Sequence, residues 1–166
     1  MLIAAGMRCT VVAAQRTTWE VKAMAGARQI GAQFVEAFNA HDEERIRQLN
    51  AENAVLEAPG DVRLEGREAS TQYAMSWLRA FPDARITVHN EREAGDWVTQ
   101  EFTFEGMHGD TFSTPTGDIP ATNRRLTGRG VQILHVEGNA IAEARLYFDQ
   151  LQVMTQLGLM PEVATA

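Results

Sequence analysis

The run Leu146-Tyr147-Phe148-Asp149-Gln150-Leu151 sets a lone acid, Asp149, directly after two aromatic residues and ahead of more Leu, Val and Met. A carboxylate can take a proton from the carbon beside a carbonyl only if its pKa is brought nearer to that of the reaction. Apolar surroundings do this by disfavouring the charged form, and Tyr147, Phe148 and Leu151 are placed to supply them. Asp149 has a second reading. It immediately precedes QLQVMTQLG, where an acid caps a helix by accepting backbone N–H bonds worth about 1 kcal/mol. A carboxylate held by amides is a weaker base, so the two readings pull against each other.

Other chemistries find little support. His41, His89, His108 and His135 are scattered without metal-ligand spacing, so no metal is expected. Gly-rich phosphate loops, nucleophile elbows and Cys/His nucleophile patterns are missing, and no cofactor is expected. The formal charge of −7 argues against a chain that neutralises nucleic-acid phosphates. The one basic cluster, NRRLTGR at 123–129, reads as an edge strand guarded by charge. A single cysteine, Cys9, excludes an internal disulfide and fits a reducing, cytoplasmic setting. Residues 1–23 carry apolar pieces interrupted by Arg8, Arg16 and Lys22, short of the ~20 apolar residues that span a bilayer, so no membrane partner is expected. They also lack a basic start and a clean cleavage site, and read as a loosely attached extension ahead of a domain starting at Met24. That domain is expected to run over 24–160, with 161–166 as a tail.

A composition of 45% hydrophobic and 22% charged residues over 166 positions suits one folded domain. Ile30, Phe34, Val35 and Phe38 recur at helical spacing; His41-Asp42 breaks the run before a second short helix with Ile46 and Leu49. NAVLEAP alternates briefly and ends at Pro59-Gly60. A third helix carries Tyr73, Trp77 and Phe81 at i, i+4 and i+8, and Pro82-Asp83 stops it. Beyond Pro82 the period becomes two: ARITVHNEREA, then DWVTQEFTFEGMH with Phe102 and Phe104 on one face, then LTGRGVQILHVE and AIAEARLYFD. Residues 109–124 read as a loop over the sheet, and a helix at about 150–157 ends the pattern. Helices first and antiparallel strands after predict an α+β fold. A curved sheet around helices leaves a cone open at one end, a natural apolar small-molecule pocket.

Several stretches together resemble the SnoaL-like polyketide (ester) cyclases of the nuclear transport factor 2-like superfamily. They are FVEAFNAHDEERIRQLNAENAVLEAP, YAMSWLRAFPD, GMHG at 106–109, TGDIPATNRRLTGRG and HVEGNAIAEARLYFDQLQVMTQLGL, covering about residues 27–160. The resemblance implies a cone-shaped sheet and cofactor-free aldol ring closure on a polyketide ester. It also implies an acid/base in the YFD-like ending, which is Asp149, assisted by a histidine one strand earlier, which is His135. The 109–124 segment departs from the family pattern at Ala121 and Asn123.

Register decides whether those two residues can meet. A two-residue turn at Gly138-Asn139 sets His135 and Asp149 on opposite faces; a three-residue loop, Glu137 to Asn139, makes Val136 oppose Ala140 and puts His135, Arg145, Tyr147 and Asp149 on one face. The three-residue loop is the expectation here, because the family often has Gly where this chain has Asn139. The expected site is then Asp149 as acid/base with His135 as partner, the pocket being lined by Tyr147, His108, Trp77, Phe81, Phe104 and Phe38. The expected ligand is an apolar carbonyl compound. A non-catalytic small-molecule binder on the same cone is the alternative; an epoxide-hydrolase-like variant would need an Asp–Arg–Asp constellation that the sequence does not assemble. Leu134, Val136, Leu146 and Phe148 form a broad face that needs covering, which predicts a homodimer through the sheet.

Overall fold

Ile30 and Phe38 stand on one face of the first helix, α1 (Ala27–Asn39), and both are buried. The helix has no side-chain cap of its own. Instead the Arg28 N–H donates at 2.9 Å to the carboxylate of Glu93, 65 residues away, which suits the positive end of the helix. His41 turns the chain at φ 56°, and Asp42 caps α2 (Glu43–Leu49) by accepting the Arg45 N–H at 3.0 Å. The break expected at His41-Asp42 is present. These positions come from a computed structural model that describes residues 26–114 and 117–160. The expectations for 1–23, Cys9, Met24 and the 161–166 tail lie outside the described residues.

The chain continues through β1 (Asn50–Ala58), β2 (Val62–Glu65), α3 (Arg67–Ala80), β3 (Arg85–Ala94) and β4 (Trp97–Met107). It ends with β5 (Phe112–Thr114), β6 (Gly117–Ile119), β7 (Arg125–Glu137), β8 (Ala140–Phe148) and α4 (Gln150–Leu157). Six strands make one curved sheet in the order β2-β1-β8-β7-β4-β3, so the fold is α+β as the element pattern predicts. Neighbours are antiparallel except β1 and β8, which run parallel: the first strand returns to pair with the last. On β4 the period of two is plain, with Val98, Gln100, Phe102 and Phe104 buried and Glu101 and Glu105 exposed. The buried side faces the helices, α1 lying on β3 and β4 and α3 on β1.

Two expectations need correction. Residues 109–124 are not all loop: β5 and β6 form a small hairpin, held because the Phe112 ring packs against Trp77 at 4.6 Å. The NRRLTGR segment is an edge only locally, since it belongs to a strand whose later residues are interior to the sheet. Residues 125–129 begin β7, paired with β4 from Arg125↔Met107 to Arg129↔Thr103. On their other side the Gln156 amide takes the place of a strand, accepting the Thr127 N–H and donating to the Thr127 carbonyl, each at 2.9 Å. The outermost strands are β2 and β3. Asn39 does the same for β3, accepting the Ile86 N–H at 2.7 Å and donating to its carbonyl at 2.8 Å.

One glycine is required by close approach. A Cβ at Gly130 would stand 2.6 Å from Cζ of Phe102, so the ring lies flat over the β7 backbone only because no side chain is there.

Candidate active site

A cavity of about 90 Å³ lies between α3 and the inner face of the sheet. One water needs about 10–15 Å³ on this measure, so there is room for a small organic molecule, more so because the space continues outward through an opening. Its walls are apolar and largely aromatic. Trp77 stands at the centre, with ring centroids of Phe104 at 5.4 Å, Phe112 at 4.6 Å, Phe148 at 5.6 Å and Phe81 at 5.8 Å.

Of the residues expected in the site, Trp77, Phe104, Phe38 and Asp149 line this cavity. Asp149 is exposed and stands at the opening with Gln152. It is also the N-cap of α4, its Oδ1 accepting the Gln152 N–H at 3.0 Å. The cap reading holds, whereas the apolar surroundings expected from Tyr147 and Leu151 are not supplied, both being exposed; Phe148 alone of the three lines the cavity with Asp149. Gly158, left-handed at φ 73°, closes the same helix, and buried Leu157 anchors it.

His135 and Tyr147 lie elsewhere, because the sheet face that carries them is turned away from the helices. Glu137 pairs with Ala140 and Val136 with Ile141, so Gly138-Asn139 is a two-residue turn with Gly138 at φ 64°, not the three-residue loop expected. A bulge at Ala142 then shifts the pairing, so that His135 opposes Glu143 and Val131 opposes Tyr147. His135, Arg145 and Tyr147 do share a face, but it is the outer one; Gln132, Leu134, Leu146 and Phe148 line the cavity. There the His135 ring stacks on Trp97 at 4.5 Å, with the Arg145 guanidinium 5.5 Å from the same indole. The expectation that His135 and Asp149 share a pocket is corrected accordingly.

Phe81 and His108 stand one layer behind the cavity wall. Neither lines the cavity, and both are fully buried, with centroids 5.1 Å apart in a stacked pair. His108 Nδ1 accepts the Thr122 N–H at 3.3 Å and lies 3.0 Å from Thr122 Oγ1, which places the ring proton on Nε2. Its backbone N–H and carbonyl bond Arg124 and Asn123, so His108 fastens the 109–124 segment to the sheet. Burial pushes the imidazole pKa below its ordinary 6.5. The unfolded chain therefore takes up a proton first as pH falls, and stability present above about 6.5 is lost below it. The melting temperature is expected to drop between pH 7.5 and 5.5, and to drop less in His108→Asn, whose Oδ1 can still accept the Thr122 N–H. Parallel pH profiles for the two proteins would remove His108 as the cause.

Six polar residues lining the cavity were not placed in the site from sequence: Ser70 and Tyr73 on α3, Asn50 at the start of β1, Arg129 and Gln132 on β7, and Gln152 on α4. Ser70, Tyr73, Ala74 and Trp77 recur at i, i+3, i+4 and i+7, a helix face in which Tyr73 reads as core filler. Burial holds the Tyr73 phenol above its ordinary pKa of 10.0, a side-chain hydrogen bond with Trp77 pulling the other way, so at neutral pH it keeps its proton. Gln132 donates from Nε2 to Gln100 Oε1 at 2.6 Å, and Gln100 donates from Nε2 to the Glu91 carboxylate at 3.1 Å. Glu91 pairs with Arg28 at 3.3 Å. An ionised carboxylate only accepts, so this chain sets the direction of both amides. The Oε1 of Gln132, unused in the chain, is the acceptor it has left for a ligand.

Residues 29–157 match the family model described as SnoaL-like polyketide cyclase. No curated protein matches the chain by sequence. Solved structures share its shape. A proposed SnoaL-like polyketide cyclase from Jannaschia sp. CCS1 superposes with a TM-score of 0.72 at 18% identity, covering 81% of this chain and 93% of that one. IdmH, a proposed polyketide cyclase from Streptomyces antibioticus, gives 0.67 at 25% identity over 81% and 99%. A protein of ketosteroid isomerase-like fold from Catenulispora acidiphila DSM 44928 gives 0.65 at 19% identity over 80% and 94%.

Proposed function

This chain belongs to the SnoaL-like polyketide cyclase family, and from that premise we propose that it carries out cofactor-independent acid/base chemistry, an aldol-type cyclisation or isomerisation, on an apolar carbonyl compound. The observation that supports this reading is an apolar cavity with a carboxylate, Asp149, at its opening and a protonated phenol, Tyr73, in its wall. In the reading, the Asp149 Oδ1 stays with the helix cap and Oδ2 takes the proton beside the substrate carbonyl. The Tyr73 O–H donates to the enolate oxygen as charge develops there. The enolate carbon attacks a second carbonyl of the same molecule, and Asp149 returns its proton to the new alkoxide. The walls exclude water around the Tyr73 contact, which strengthens it, while Asp149 at the opening stays in reach of solvent. His135 has no part in this scheme, since it faces away from the cavity.

The test is exchange of the ketone-adjacent proton into heavy water, compared between wild type and Asp149→Asn. The capping role and exposure of Asp149 favour a second reading, a non-catalytic binder of the same ligands. A binder would show no exchange in either protein.

A cytoplasmic homodimer belongs to the same proposal, on changed grounds. Leu134 and Val136 are buried within the chain, and Leu146 and Phe148 line the cavity, so none needs a partner. The outer face carries Trp97, Val131, Ile133 and Tyr147, the last 55% exposed, and offers the sheet surface for pairing. Sedimentation at micromolar concentration is expected to show a dimer; monomer alone would reject it. Among the described residues no helix is long and apolar enough to cross a membrane.

A further inference from the structure

Two polar residues of the cavity lining, Ser70 and Asn50, are buried. Ser70 is 3% exposed and lines the cavity, yet its Oγ has no hydrogen-bond partner in the protein. A buried hydroxyl without a partner is unfavourable, and a hydroxyl that borders a ligand cavity finds its partner in the ligand. Asn50, 4% exposed, lines the same cavity. Its Nδ2 donates to the Ile46 carbonyl at 3.2 Å and lies 3.4 Å from Oγ1 of Thr71, the residue after Ser70. With the amide nitrogen turned into the protein, the acceptor Oδ1 is the atom that side chain has left to offer. The Thr71 hydroxyl, which donates to the Arg67 carbonyl at 2.8 Å and faces the Asn50 amide nitrogen, does not meet the Ser70 Oγ.

From this we propose a second recognition point: Ser70 and Asn50 form a polar subsite that takes a hydroxyl group of the substrate, at the end remote from the reacting carbonyl. A hydroxyl is both donor and acceptor. It can receive the Ser70 O–H and donate to Asn50 Oδ1, whereas a carbonyl could use only the first and an alkyl group neither. Ser70 and Trp77 lie seven residues apart on α3, about 10 Å along the helix axis. The Trp77 end is the Asp149 end, since the Trp77 and Phe148 rings are in contact at 5.6 Å. The substrate class is thereby narrowed to a rigid apolar ketone or ester, two or more rings long, with a hydroxyl opposite its reactive end. This rests on the acid/base reading for which end reacts, but the subsite itself does not depend on it.

The test uses 2-tetralone and 6-hydroxy-2-tetralone, two-ring ketones that differ only by the remote hydroxyl. Calorimetry is expected to show the hydroxylated ketone binding wild type at least about 10-fold more tightly, the size of preference a site that hydrogen-bonds a hydroxyl can impose. In Ser70→Ala the preference is expected to fall below about 3-fold, with 2-tetralone affinity unchanged; that unchanged affinity also shows the variant is folded. Asn50→Asp keeps an acceptor oxygen and is expected to retain part of the preference. Equal affinities in wild type, a preference that survives Ser70→Ala, or no binding of either ketone would each overturn the subsite. Proton exchange of the same two ketones reports separately on the acid/base reading: preference without exchange removes the reaction and keeps the subsite, and exchange without preference does the reverse.

Discussion

Asp149→Asn is expected to slow exchange of a ketone-adjacent proton by about 10²–10⁴-fold, the usual contribution of a positioned general base, while ligand affinity and melting temperature stay near those of wild type. The substitution is informative because Asp149 does two jobs. As N-cap its Oδ1 accepts the Gln152 N–H, and asparagine caps helices about as well as aspartate. Only the basic oxygen is lost. Asp149→Ala removes both functions and should cost a further ~1 kcal/mol of stability, read as a lower urea midpoint. Proton NMR in heavy water follows the exchange directly, with the two tetralones as substrates. Equal rates in wild type and Asp149→Asn would show that the carboxylate is only a cap, and the chemistry proposed for the cavity would go with it.

Phe81→Ala is expected to lower stability by about 3–5 kcal/mol, the range for removing a fully buried phenylalanine. Phe81 is 0% exposed and joins two layers of the fold, meeting Trp77 and Phe104 at the cavity wall and His108 and Phe112 under the 109–124 segment. Its surroundings are tight: a Cβ on Gly106 would approach the Phe81 Cβ to 3.0 Å. Neighbours held that closely by β4 relax little, so a cavity remains where the ring was. Because Phe81 stands behind the wall, its removal loosens both the Trp77 side and the His108 fastening. Urea denaturation measures the loss, and a change under about 1 kcal/mol would mean that the site collapses readily and that the aromatic layer is not what supports the pocket.

The elements themselves were largely readable in the chain. Ile30 and Phe38 at helical spacing, the alternation from Val98 to Phe104 and the stops at His41-Asp42 and Pro82 express local rules, so they could be placed without knowledge of distant partners. Asp149 could be marked as either cap or cavity acid for the same reason: the aromatic pair before it and the helix after it are both local. Family resemblance supplied the cone, and the fold agrees with it.

Pairing was another matter. Placing β1 beside β8 joins residues roughly ninety positions apart, and no pattern within either strand names its partner. The small β5–β6 hairpin depends on Phe112 reaching Trp77, which a Gly- and Pro-rich composition does not reveal. Register mattered most for function, since one residue's slip moves every side chain to the other face. The turn at Gly138-Asn139 alone would have parted His135 from Arg145 and Tyr147; the extra residue at Ala142 returned them to one face, and the packing of the helices on the opposite face, with Gln132, left theirs outward. The hydroxyl of Ser70 and the amides of Asn50 and Gln132 look in sequence like ordinary polar residues, because whether a polar group is buried, and whether anything answers it, is a property of the packed neighbours. Composition, local periodicity and resemblance thus determined the kind of fold and one candidate acid. Which residues surround a ligand was decided only when strands distant in sequence paired and turned one face of the sheet toward α3.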